Sequence, residues 1–197
     1  MKYTVARDVA ERTVTLALER LGRPHVRSRS ATRPLRGARL GSHEETLRAA
    51  RRERSTVVDD QTLADLVTHY GSDALDILQL IARRPAWGAR VHPTAPVVRA
   101  QVVYAVRHEL AQTLADVVLR RTPLATAEHP GMVCLRTCAA LMAKELGWDA
   151  SRVAAELAQT EAILAHHRAA VPAGASAAAT REWVDVPAWV DAGAIRR

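Results

Sequence analysis

Residues 94–122, TAPVVRAQVVYAVRHELAQTLADVVLRRT, carry the longest run of helical periodicity in the chain, and the remainder must pack around them. Val103, Val106, Leu110, Leu114 and Val117 recur at steps of three and four residues, which lines them along one face of a helix. Tyr104, His108, Gln112, Asp116 and Arg120 fall on a second face, available for polar contacts. Thr94 supplies an N-cap and Pro96 suits a first turn. Arg120 and Arg121 place positive charge at the C-terminal end, where the helix dipole favours it, and Pro123 stops the run. The stretch therefore predicts one long helix with its valine and leucine face buried.

Such a face needs apolar partners, and the composition says of what kind. Hydrophobic residues make up 48% of the 197, but aromatics only 4%, with no Phe. The core must then be aliphatic and alanine-rich, which suits close-packed helices. No segment reads as a strand. The expected fold is all-α, an irregular bundle of about six or seven helices around one long central helix over 94–122.

Taken in order, Val9, Thr13, Leu16 and Leu21 approximate a first helical stripe, with Thr4 as N-cap and Gly22 and Pro24 at its end. Residues 24–42 are polar, basic and broken by Pro34, Gly37 and Gly41, an extended connector longer than most loops. A charged helix follows over 44–54. Asp59 or Asp60 caps the next one, carrying Leu63, Leu66 and Val67 to Gly71, and Ser72 caps another with Leu75, Ile77, Leu78 and Ile81. After the long helix, Pro130 opens a helix to Leu146 with Gly147 as its C-terminal glycine. Asp149 caps a last helix over 150–168. The tail, 171–197, is low in complexity and is either disordered or docked through Trp183 and Trp189.

The formal charge is +7, yet Lys2 and Lys144 are the only lysines and the arginines recur in every predicted helix beside Asp and Glu. That distribution reads as a compositional preference for arginine, and no nucleic-acid partner is expected. Cys134 and Cys138, four apart within a helix, read as small buried apolar residues. No apolar run is long enough to span a bilayer, so a cytoplasmic address is expected. No G-x-G-x-x-G, G-x-x-x-x-G-K-[ST], H-E-x-x-H or G-x-S-x-G pattern occurs. His108 and Glu109 are adjacent, about a hundred degrees apart on a helix, and do not face one target, so no metal site is expected. Tyr104, His108, Glu109, Asp116 and Arg120 read as a structural polar network between helices.

Four stretches resemble a known family in order and spacing: KYTVAR at Lys2 to Arg7, SATRPLRGA at Ser30 to Ala38, HYGSDALDIL at His69 to Leu78, and VVYAVRHELAQTLADVVLRRT followed by LMAKELGWD. Together they resemble the C-terminal part of FAD-dependent glycerol-3-phosphate dehydrogenases of the aerobic, quinone-linked type, from about Lys2 to Arg168. The resemblance implies that residues 1–42 correspond to the end of a flavin domain, that 43–170 form a helical C-terminal domain packed on it, and that 171–197 are a tail without counterpart. It implies that Lys2, Thr4 and Arg7 lie near substrate and flavin. Val5 stands where the family usually has a second threonine, Met1 where it has a glycine, and Gln101 where it often has glutamate.

FAD belongs, by this resemblance, to the full-length enzyme, which oxidises glycerol 3-phosphate to dihydroxyacetone phosphate and passes electrons to quinone. This chain is expected to hold no cofactor of its own and to be inactive without a flavin-binding partner. Membrane association, at the inner face, is expected only peripherally and through the complete enzyme. The alternative is a stand-alone helical interaction module without enzymatic activity.

Overall fold

The computed structural model describes residues 5–39, 41–53, 57–126 and 128–169. All the regular structure in them is helical, and the one strand-like pairing is an antiparallel bridge between Arg90 and Val98. The all-α expectation holds. Lys2, Thr4 and the tail with Trp183 and Trp189 lie outside the described residues.

Local sequence sets most helix ends. Helix α1, Ala6–Arg20, closes on Gly22 at φ +62, where Gly22 N–H bonds Glu19 O and Arg23 N–H reaches back to Leu18 O. This double closure needs the left-handed conformation that glycine adopts without steric cost. Helix α2, His43–Glu53, opens with a reciprocal box in which Ser42 Oγ accepts from Glu45 N–H and Glu45 Oε2 accepts from Ser42 N–H. Helix α3, Asp60–Tyr70, is capped by Asp59, whose Oδ1 accepts from Thr62 N–H at 2.6 Å. Gly71 ends it at φ +55, and after the tight turn Gly71–Asp73 the chain enters α4, Ala74–Arg83. Ser72, expected to cap α4, instead bonds the connector.

Helix α5, Arg99–His108, starts later than its periodicity suggests. Val91 N–H bonds Val97 O and Arg99 N–H bonds Ala89 O, so Val97 and Val98 are held extended against 89–91, and a turn closed by Ala95 N–H to His92 O precedes them. Thr94 is occupied with His92, and the cap is made by Gln101, whose Oε1 accepts from Val98 N–H.

The long helix over 94–122 is not continuous. Glu109 N–H makes the last helical bond, to Ala105 O, and Leu110 turns into the left-handed region at φ +58. A new helix, α6, begins at Leu114–Asp116 and runs on as a wide turn over Val117–Arg121, closed by Thr122 N–H to Val117 O. The cause is a capping box that interrupts the apolar pattern. Thr113 Oγ1 accepts from Asp116 N–H, while Asp116 Oδ2 accepts from Thr113 and Gln112 N–H. Glu156, from the C-terminal helix Ala150–Ala169, completes the cap by accepting from Leu114 N–H at 2.8 Å. The break rotates the two halves: Leu110 is 81% exposed and Val106 only half-buried, whereas Val103, Leu114 and Val117 stay in the core.

Helix α7, Met132–Leu146, carries Cys134, Leu135, Cys138, Ala139 and Met142 through the centre, packed on α5. Small side chains let the two axes approach, which suits a core without Phe. It ends on Gly147 at φ +69, and Asp149 Oδ1 caps α8, Ala150–Ala169, through Arg152 N–H. Helices α2, α3 and α4 form a corner against α5. No residue of α1 is buried.

Candidate functional site

The polar junction of the molecule forms where the connector meets the α3–α4 corner. Gly37 and Gly71 face each other with almost no space between their backbones. A Cβ on Gly71 would overlap the Gly37 carbonyl, and one on Gly37 would lie 2.7 Å from Tyr70 O. Two glycines let the turn Arg36–Ala38 rest directly on Gly71–Asp73.

This approach puts one carboxylate among several donors. Arg39 Nη2 lies 2.7 Å from Asp73 Oδ1 and 3.2 Å from Asp76 Oδ2. Arg36 Nη2 donates to Asp76 Oδ2 at 3.2 Å, and its Nε lies 3.5 Å from Asp73 Oδ2. Ser72 Oγ donates to Arg36 O and accepts from Arg39 N–H, so backbone and side chains fasten the same turn. From below, Tyr104 of α5 donates its hydroxyl to Asp73 Oδ2 at 2.8 Å. Charge-assisted bonds of this kind are about twice as strong as neutral ones, and the turn is clamped rather than draped.

Around the clamp lies an aromatic and amide layer. The Tyr70 and Tyr104 rings meet edge to face at 5.7 Å. Gln101 Nε2 donates to Tyr70 Oη at 3.4 Å, and Tyr70 donates to Arg121 O at 3.3 Å. Burial pushes the Tyr70 phenol up to about 12. Burial, with Asp73 alongside, also holds the Tyr104 phenol above its ordinary value, so both remain donors at neutral pH.

The five residues of the expected network divide between two places. Tyr104 is fully buried, not on an open polar face, and its ring stacks tilted on exposed His108 at 4.8 Å. Glu109 sits near the same layer. Its Oε2 is closed off from solvent and accepts no hydrogen bond among the described residues. Burial raises its carboxyl above the usual range, Arg121 and Arg36 opposing the rise and Asp73 adding to it. Asp116 and Arg120 stand apart at the α6 cap, paired at 2.6 Å. Arg7 lies on α1 and pairs with Glu11 at 3.1 Å.

Asp73, Arg36 and Arg39 were not singled out from the sequence, although Asp73 and Arg36 lie inside the SATRPLRGA and HYGSDALDIL stretches. The available signal was glycine in both segments beside opposite charges. Among the described residues no three His, Cys, Asp or Glu side chains gather as a metal site, and no helix is long and apolar enough to cross a membrane. The junction holds no nucleophile activated by a neighbouring base. What it can do is fix the C-terminal end of the connector, Arg36–Arg39, on the α3–α4 corner.

The described residues form a helical body with a clamped connector and a first helix none of whose residues is buried. Comparison with known proteins gives the family. A sequence profile of the C-terminal domain of alpha-glycerophosphate oxidase matches residues 28–153, and the chain belongs to that family. A glycerol-3-phosphate dehydrogenase of Synechocystis sp. is 32% identical over 148 residues, 75% of this chain and 26% of that protein. The mitochondrial glycerol-3-phosphate dehydrogenase of Bos taurus is 27% identical over 161 residues, 79% of this chain and 22% of that protein. The mitochondrial enzyme SDP6 of Arabidopsis thaliana is 31% identical over 107 residues, 53% and 17% of the two chains. The chain thus spans about a quarter or less of the length of these relatives. No solved structure matches it.

Proposed function

We propose that the chain serves as the helical C-terminal part of an FAD-dependent glycerol-3-phosphate dehydrogenase, completing a flavin-binding domain that supplies the oxidation of glycerol 3-phosphate to dihydroxyacetone phosphate. Residues 1–42 correspond to the end of the flavin domain, 43–170 form the helical body, and 171–197 are a tail. Lys2, Thr4 and Arg7 come near substrate and flavin in the complete enzyme. Tyr104, His108 and Glu109 support the connector, and Asp116 with Arg120 holds the start of α6. Membrane contact of the enzyme is peripheral, on the cytoplasmic side.

The chain's own residues do not suit FAD. A flavin dinucleotide needs free backbone amides at a glycine-rich helix start for its pyrophosphate. The first turns of α2, α3, α6 and α8 are already occupied by Ser42 with Glu45, by Asp59, by Thr113 with Asp116, and by Asp149. The start of α7 has no side-chain cap, but a single glycine, Gly131, stands there in place of a glycine-rich loop, so we assign the cofactor's site to the partner and no chemical step here.

The observation that carries this reading is α1. Fifteen residues coil into a helix with none of them buried, while Val9, Val14 and Leu16 remain exposed. An isolated helix of that length is marginal in water and draws its stability from packing an apolar face. Among the described residues nothing buries that face, and we assign it to the flavin-binding partner. Co-expression with a tagged flavin domain of the Synechocystis relative tests this: the chain co-purifies with the tag, and Val14→Asp with Leu16→Asp releases it. Failure of the unaltered chain to co-purify favours the stand-alone interaction module.

A further inference from the structure

Two neighbouring residues at the break between α5 and α6 carry local costs that nothing within the described residues offsets. Leu110 alone among the described non-glycine residues has a positive φ, +58, where its Cβ crowds the backbone. The same side chain is 81% exposed, so no packing repays the strain. Glu109 turns one carboxyl oxygen away from solvent, and that oxygen accepts no hydrogen bond among the described residues. Broken local rules that gather at one place mark a site completed from outside.

The break is nonetheless fixed. Glu109 N–H and Ala111 N–H both bond Ala105 O at 3.1 Å, and Ala111 is fully buried. Asp116 Oδ2 holds the N–H groups of Gln112 and Thr113. Leu110 is therefore presented on a backbone set in advance, which lowers the entropy lost when a partner covers it.

The surroundings narrow the occupant. The Glu109 carboxyl lies within electrostatic reach of Arg121, Asp73 and Arg36, so the break borders the clamp that anchors the C-terminal end of the connector. Residues 1–42 correspond, in the function proposed above, to the end of the flavin domain, and a surface beside Arg36 continues that boundary. His108, Gln112 and Arg121 are exposed and polar. One leucine among them is a peg without an apolar patch, and two copies facing each other would need a self-complementary one.

We infer that Leu110 is an anchor for the flavin-binding partner, entering an apolar pocket of that domain with His108, Gln112 and Arg121 at the polar rim. It adds a contact on the helical body to the one assigned to α1, and it rests on the function proposed above.

The test measures binding of the full chain to a purified FAD-binding domain of the same enzyme family, beside thermal melts of the chain alone. Leu110→Gly relieves the left-handed strain and removes the side chain. It should melt no lower than the unaltered chain, yet bind at least about tenfold more weakly. Leu110→Asn, also tolerant of the left-handed region, should lose binding to the same extent. Leu110→Met keeps an apolar side chain and should bind within about threefold of the unaltered chain. A leucine with only a structural role would not separate melting from binding. Unchanged binding in Leu110→Gly, where Val14→Asp with Leu16→Asp abolishes it, would overturn this inference and leave the proposed function standing. No binding by the unaltered chain would overturn both. A chain that is dimeric by itself and monomeric in Leu110→Gly would put a second copy on Leu110 and overturn the inference as well.

Discussion

Tyr104 donates its hydroxyl to Asp73 Oδ2 over 2.8 Å, which ties a fully buried ring of α5 to the carboxylate that holds Arg39 of the connector. Core and connector are coupled through that oxygen. Tyr104→Phe keeps the ring and removes the donor, and should cost about 1–2 kcal/mol in urea unfolding. Asp73→Ala strands the buried phenol and leaves Arg36 and Arg39 to Asp76 alone, and should cost more, about 2–3 kcal/mol. The double variant should cost clearly less than the sum, because the two side chains share one interaction. Strict additivity in the cycle would show that the bond contributes nothing.

Glycine substitutions separate close approach from backbone conformation. Gly22 and Gly71 both have positive φ, but a Cβ on Gly22 meets nothing within 4 Å, whereas one on Gly71 overlaps Gly37. Gly22→Ala should cost about 1 kcal/mol, the conformational penalty alone. Gly71→Ala should cost about 3 kcal/mol or more, since two backbones must separate. Equal losses in thermal melts of the two variants would mean that the Gly37–Gly71 contact is not tight.

At the α6 cap, Asp116 and Arg120 should respond differently to truncation. Arg120 is exposed, and Arg120→Ala should change stability by no more than about half a kcal/mol. Asp116→Ala removes the acceptor of two backbone amides and should cost about 1–2 kcal/mol. Burial opposes the Asp116 charge, but hydrogen bonds from Thr113 and Gln112 and the Arg120 guanidinium win, holding its carboxyl below the ordinary 3.8. Its contribution is therefore present above that value and is lost as pH falls through the lowered one. Acid titration of unfolding in wild type and in Asp116→Ala measures the difference.

Glu109 should behave in the opposite sense. Burial raises its carboxyl above 4.5, so the folded chain binds that proton more tightly than the unfolded chain does. The favourable contribution is full below 4.5 and disappears as pH rises through the higher folded value. Glu109→Gln removes the charge and should leave stability at neutral pH unchanged or higher by up to about 1 kcal/mol. Melting at pH 7 that drops in Glu109→Gln would show that the charge is in use.

Much of the bundle could be read from the residues. Gly71 and Gly147 ended helices as their positions suggest, Asp59 and Asp149 capped them, and Leu63, Ile77 and Leu78 faced the core. The interruption at Glu109–Thr113 could not be read from periodicity, because apolar spacing continues through it. The box Thr113-x-x-Asp116 was visible, but the cap that completes it comes from Glu156, 42 residues away. Tyr104 reads from the sequence as part of a polar network, but its partner does not, because the hydroxyl meets Asp73 at a separation of 31 residues. The junction depends on two glycines brought together from different segments, and spacing along one helix carries no information about such a meeting.

The proposed role is tested most directly by dye reduction by glycerol 3-phosphate with the purified chain alone, with an FAD-binding domain of the same enzyme family alone, and with both co-expressed. A colourless, inactive chain is expected, with turnover only in the co-expressed pair and loss of most of that turnover in Lys2→Ala. Turnover or a bound flavin in the chain by itself, or an FAD-binding domain equally active without it, would refute the proposed role.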